Sequence, residues 1–126
     1  MIKLSLFLGA FGGFLSVATG AFGAHALRNR LDDYALRIFE TAVQYQFYHS
    51  LALLLTGALL TQFPQSSLLK SSTLAFALGI LVFSGSLYVL SLTGLRWLGA
   101  ITPLGGLAFL VGWACLLVFA VRLPGA

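Results

Sequence analysis

Hydrophobic positions run almost without interruption through four stretches of this chain, and the charged residues stand only at their ends. Lys, Arg, Asp and Glu are absent from residues 4–27, 41–69, 71–95 and 97–121. Each stretch can hold a helix of about 20 residues, the length that crosses a hydrocarbon layer of about 30 Å. Runs such as Leu51–Leu55 and Leu78–Val82 are continuously apolar, whereas strands of a membrane β-barrel alternate polar and apolar positions over about 10 residues. The pattern predicts an all-α membrane protein. It is a single domain, a four-transmembrane-helix bundle with spans at about 4–24, 42–62, 71–93 and 101–121.

Between the first two stretches the period changes. Leu31, Tyr34, Ala35, Ile38, Phe39, Ala42 and Val43 recur at helical intervals, while Asp32, Asp33, Arg37, Glu40, Thr41 and Gln44 fall between them. Residues 31–44 therefore form an amphipathic helix. Asp32 or Asp33 can cap its start, and Asp33 stands at i, i+4 from Arg37. The segment is either an interfacial helix lying on the lipid between spans one and two, or the projecting first turns of one long helix; the periodicity fits both. Phe63-Pro64-Gln65-Ser66-Ser67 reads as a turn. Thr102-Pro103 reads as a helix start with proline in the first turn, or as a kink.

Small residues show a finer pattern. Gly9, Gly13, Ser16, Gly20 and Gly23 are spaced alternately four and three apart along the first helix, and Gly105, Ala108, Gly112 and Cys115 make a shorter version in the last. Lipid supplies no hydrophobic drive between helices, so small residues that let backbones approach are the usual means of association. Both helices are expected to be closely packed, internally or against a second subunit.

Composition narrows the class further. Over 126 residues only 8% are charged and the mean hydropathy is +1.00, against about 25% charged in soluble domains. The net charge of +4 comes from single basic residues at the ends of apolar stretches, where Lys and Arg meet headgroups. No nucleic-acid partner is expected. The partners are membrane lipid and a second copy of the chain or another membrane protein. Lys3, Lys70 and Arg122 fall on one side and Arg28, Arg30, Arg37 and Arg96 on the other, so the positive-inside rule favours cytoplasmic loops one and three by a narrow margin. Ala24-His25-Ala26 resembles a signal-peptide cleavage site, but the preceding apolar run is a full span and exceeds a signal core of about 7–15 residues. Cys115 is the only cysteine, which excludes an intrachain disulfide and a thiolate cluster.

The polar residues inside the spans are the candidate chemistry. With the second span starting near Ala42, His49 lies about 10 Å in from the loop-one side. An antiparallel third span sets Ser84 at that depth and Tyr88 level with Tyr45 and Gln46. Thr19 and Thr102 share this half of the bilayer and His25 closes the set near the surface, while the opposite half offers little beyond Thr56, Cys115 and terminal hydroxyls. His25, Tyr45, Gln46, His49, Ser84 and Tyr88 are the candidate ligand-binding residues. One use is an interhelical hydrogen-bond network that fixes register; another is a vestibule for a small ligand, a lipid headgroup or a proton on His49. His25 and His49, even with Glu40, have no recognised ligand spacing, so no metal or cofactor is expected. The chain carries no phosphate-binding glycine loop, HExxH, CxxC or nucleophile elbow. Ser84 with His49 lacks an acidic orienter, since Glu40 lies about two and a half turns away. A non-enzymatic role is expected.

Four blocks carry a family resemblance. They are residues 20–27 (GAFGAHAL), 39–53 (FETAVQYQFYHSLAL), 84–88 (SGSLY) and 98–106 (LGAITPLGG). In order and spacing they resemble the small membrane-protein family catalogued as domain of unknown function 423, which is similar to eukaryotic transmembrane protein 256. The resemblance covers nearly the whole chain. It implies four spans, in bacteria an inner-membrane location, and no established activity.

Overall fold

Residues 1–125 are described by the structure, a computed structural model, and they are helical with no strand among them. Helix α1 spans Ile2–Phe22 and runs on through a π-helical turn, Gly23–Leu27. Helix α2 spans Asp33–Gln62 and α3 spans Ser67–Gly79. A π-helical segment, Ile80–Ser84, joins α3 to α4, Gly85–Thr93. A 3₁₀ turn, Arg96–Ala100, then leads into α5, Thr102–Arg122.

Local chemistry marks the breaks. Asp32 caps α2, its Oδ1 accepting from the Ala35 N–H at 2.7 Å, and Ser66 caps α3 by accepting from the Leu69 N–H at 3.2 Å. Pro64 follows the end of α2, as expected of a residue with no N–H to continue the ladder. Gly94 closes α4 in the left-handed region, φ 74°, where a side chain would be strained. Pro103 sits in the first turn of α5, where a missing N–H costs nothing.

Two expectations change. Residues 31–44 are not a separate interfacial helix, because α2 continues unbroken for 30 residues. Neither Gly nor Pro occurs between Leu31 and Thr56, so nothing bends the chain there. Among the described residues three stretches are long and apolar enough by composition to cross a membrane: Ile2–Leu27, Ser67–Thr93 and Arg96–Arg122, of 26, 27 and 27 residues. Helix α2 does not join them because Gln44, Gln46, His49 and Gln62 interrupt its leucines.

The polar helix is the central one. Helix α1 lies along one side of α2, the α3–α4 stretch lies along another, and α5 packs on α3 and the π-helical segment. Its buried face reads Phe39, Ala42, Gln46, His49, Ser50, Leu53, Thr56, Gly57 and Leu60. Glycines set the closest approaches. A methyl on Gly9 would strike the Ser50 carbonyl and Leu54 at 2.8 Å, and one on Gly23 would strike Phe39 at 2.7 Å. Between α3 and α5 the fit is reciprocal, Phe76 filling the space at Gly112 and Phe109 the space at Gly79. Gly105 lies under the backbone of Phe83.

The α1 seam differs by one position from the spacing reading. Ser5, Gly9, Gly12, Ser16 and Gly23 are buried, and Gly20 touches Val43 at 3.3 Å. Gly13 faces away, with nothing within 4 Å of a methyl placed there. At about 100° per residue the buried Ser5, Ser16 and Gly23 lie on one line, from which Gly12 falls about 30° and Gly13 about 70° to the other side.

Candidate functional site

The polar side chains of α2 divide between two of its faces. Tyr45 and His49 look towards α5, and Gln46 with Ser50 looks towards α1. Two separate networks result.

His49 is 5% exposed. Its Nδ1 lies 2.7 Å from the Tyr45 carbonyl, and the Trp113 indole N–H donates to Nε2 at 3.0 Å. A carbonyl only accepts and an indole N–H only donates, so Nδ1 carries the proton and Nε2 offers its lone pair. The ring is a neutral imidazole with both nitrogens occupied. It lies flat on Phe109, centroids 3.5 Å apart and planes 9° apart, with Phe76 and Trp113 set against it at an angle. Tyr45 packs on Phe83 at 4.6 Å. The result is an aromatic box around a satisfied imidazole.

The second network ties three helices together. Gln46 donates from Nε2 to the Gly12 carbonyl of α1 at 2.9 Å, and its Oε1 accepts from the Tyr88 hydroxyl of α4 at 2.6 Å. Thr19 Oγ1 of α1 stands 3.1 Å from that hydroxyl. The Gly12 carbonyl is reachable because a methyl on Gly12 would collide with Ser50 Oγ. Ser84 donates to the Ala42 carbonyl at 2.8 Å, and Ser86 pairs with Thr102 at 2.6 Å.

The six candidates thus do not form one site. Gln46 and Tyr88 meet directly, Ser84 bonds to α2 backbone a turn away, and Tyr45 with His49 belongs to the aromatic box. His25 is exposed in the π-helical turn after α1. That turn packs through Gly23 on Phe39, ten residues and about 15 Å along α2 from His49. Among the described residues no three His, Cys, Asp or Glu side chains converge, and no buried side-chain N or O lacks a partner.

Several participants escape a reading of polar residues alone. Trp113 is the donor to His49, although an indole in a membrane sequence ordinarily reads as an interface anchor. Ser5, Ser72 and Thr73, terminal hydroxyls of the opposite half, build a third set of bonds there. Ser5 donates to the Leu53 carbonyl at 2.7 Å, Thr73 lies 3.2 Å from Ser5 Oγ, and Ser72 donates to the Gly112 carbonyl at 3.0 Å. Ser72 is fourteen residues before Ser86 on the same crossing, and that recurrence of hydroxyls was the available signal.

One groove reaches the Gln46 network from the side. It encloses about 310 Å³ between α1 and the π-helical segment, with Phe11, Leu15 and Leu81 as walls and Gln46, Ser84 and Tyr88 below. The polar atoms beneath it are already bonded to one another.

The comparisons with known proteins place the chain among membrane proteins. Residues 19–106 match the model of the family described as protein of unknown function (DUF423). The chain is 44% identical over 122 residues to the UPF0382 membrane protein YwdK of Bacillus subtilis (strain 168), covering 96% of this chain and 98% of that one. It is 43% identical over 124 residues to the UPF0382 membrane protein SAB0533 of Staphylococcus aureus (strain bovine RF122 / ET3-1), covering 98% of this chain and all of the other. A similar protein of Staphylococcus haemolyticus (strain JCSC1435), SH2409, is 44% identical over 98% of this chain. No solved structure matches. With three apolar helices of spanning length and relatives named as membrane proteins along their whole length, this chain is an integral membrane protein and belongs to the DUF423 family.

Proposed function

We propose that this protein is a four-crossing, non-enzymatic scaffold of the cell membrane, in which the polar residues hold helices in register rather than receive a substrate. The observation that carries this reading is the state of His49. Both ring nitrogens are occupied within the protein, and the ring is stacked on Phe109 with Phe76 and Trp113 set against it at an angle. A group that binds a ligand or relays a proton needs a free nitrogen or a water path, and this ring offers neither.

Helix α2 is the fourth crossing in this reading. It runs antiparallel to α1 and to α3 through short connections, and its polar groups face neighbours rather than lipid. Polar side chains in lipid cost several kcal/mol unless bonded, and bonded they favour helix association. Hydropathy undercounts a helix whose polarity is satisfied by its neighbours.

Gentle purification with native mass spectrometry and an absorption spectrum tests the proposal. The expected result is protein without bound small molecules and without a Soret band, and His49→Ala should lower the melting temperature in detergent. A stoichiometric bound mass that disappears in His49→Ala, with the melting temperature unchanged, would replace the scaffold by a binding site.

A further inference from the structure

The charges near the start of α2 are sorted by flank. Glu40 lines a small groove against α1, together with Gly20, Gly23 and Gln44. Arg37 lines a different groove, of about 340 Å³, on the side of α4. Its other walls are Tyr34, Ile38, Thr41 and Leu87, so no acidic residue belongs to it. Asp32 uses its carboxylate to cap α2, and Thr41 donates its hydroxyl proton to the Arg37 carbonyl at 2.9 Å. The donors this groove can offer a ligand are therefore the Arg37 guanidinium and the Tyr34 hydroxyl. Both residues are exposed.

The depth of the groove follows from packing, and it rests on the four-crossing reading above. Phe39 meets the Tyr88 ring of α4 at 5.1 Å and fills the space at Gly23 beyond α1. The midpoints between flanking charges fall at Phe83 (Lys70 to Arg96) and between Leu15 and Ser16 (Lys3 to Arg28). At 1.5 Å per residue, Phe39 is then about 8–11 Å, Arg37 about 11–14 Å and Tyr34 about 15–19 Å from the middle of the membrane. The hydrocarbon ends at about 15 Å and the headgroups at about 20–22 Å. Arg37 thus starts inside the hydrocarbon with a side chain long enough to bring its charge out to the headgroups, and Tyr34 stands at that level already. Thr41 and Leu87 continue the groove inwards to acyl-chain depth.

We infer that this groove holds one anionic glycerophospholipid of the leaflet on the loop-one side, its phosphate on Arg37 and Tyr34 and one acyl chain along Thr41 and Leu87. Charge selects the occupant. A guanidinium presents a planar fork of N–H groups that matches two phosphate oxygens, and basic pockets between membrane helices are where anionic headgroups bind. A headgroup with an ammonium would find no carboxylate in this lining. Free phosphate would leave the apolar walls of Ile38 and Leu87 uncovered, and a lipid covers them with its chain.

Melting of detergent-washed protein with added lipid tests the site. Phosphatidylglycerol should raise the melting temperature to a plateau, while phosphatidylcholine should need about tenfold more for the same rise and inorganic phosphate should have no effect. Arg37→Gln should weaken the phosphatidylglycerol response about tenfold and Arg37→Lys by less, since an ammonium keeps the charge without the fork. Arg122→Gln, at the other end of the bundle, should not change it. Thr41→Trp, which fills the groove and keeps the guanidinium, should abolish it. Without lipid, Arg37→Gln should melt as the wild type does. Equal responses to both lipids, saturation by inorganic phosphate, a full response in Arg37→Gln or Thr41→Trp, or an equal loss in Arg122→Gln would each overturn the inference. A lipid carried through purification is told from a substrate at His49 by its survival in His49→Ala. Sidedness labelling of Asn29→Cys and Gln65→Cys, in a Cys115→Ala background, separates the two possible failures. Labels on opposite faces with no lipid selectivity remove the lipid site alone, and labels on one face remove the four-crossing reading and the site with it.

Discussion

His49 and Trp113 make a bond whose strength depends on what surrounds it. Trp113→Phe removes the indole N–H together with part of the ring's packing, and the bond itself should account for about 1 kcal/mol of the cost, the usual size of an interhelical bond in lipid. In a His49→Phe background the same change should cost less, since the acceptor is already gone, and the difference in unfolding free energy in detergent measures the coupling. Equal costs in both backgrounds would show that the indole packs without bonding. This pair also marks the limit of what single residues reveal. His49 stands out as a polar group inside an apolar stretch, and Tyr88 can be levelled with Gln46 by counting residues along antiparallel helices. Trp113 was not legible, because its apolar body suits lipid as well as protein and only the packed neighbour assigns its N–H. His25 is exposed in the turn after α1, and its place near the surface in the sequence does not set which way it faces.

At the scale of elements, glycines of similar appearance have opposite roles. A methyl at Gly105 would meet the Phe83 backbone, which cannot rotate away, so Gly105→Ala should destabilise by about 1–3 kcal/mol. A methyl at Gly13 meets nothing, so Gly13→Ala should be neutral or stabilise by up to about 1 kcal/mol through the unfolded chain and helix propensity. Thermal melting of both variants in one detergent checks the pair, and loss of stability in Gly13→Ala would place it at an interface this chain alone does not contain. Spacing exposed the seam but not its phase. A run alternating four and three fits Gly13 as well as Gly12, and the choice is made by Ser50 pressing on Gly12. The π-helical segment Ile80–Ser84 was likewise hidden. It is a feature of backbone hydrogen bonding, and no residue type announces it.

For the whole molecule the open geometry is the number of crossings. Four crossings put Met1 and the 63–66 turn on one face of the membrane, and the 28–32 and 94–95 connections on the other. Impermeant thiol reagents applied to intact cells, with single cysteines in each connection, should label two sets from opposite sides. The arginine excess of loops one and three favours that face as the cytoplasmic one. Labelling of every connection from a single side would remove the four-crossing reading. Charge-free windows were enough to find the apolar helices, because lipid admits few other structures. They were less informative about α2, whose polar groups are matched by carbonyls and hydroxyls from elsewhere in the chain.

The bond from Gln46 to the Gly12 carbonyl bears on how the protein is made. The acceptor is on the segment synthesised first, and it is the carbonyl of a glycine whose missing side chain lets α2 come close. In the four-crossing reading, a nascent α2 too polar to leave water by itself does so in the company of α1, entering as the second arm of a hairpin. Order of synthesis then becomes a requirement of the fold, and a chain permuted to begin at α2 would lose the companion that makes its entry possible.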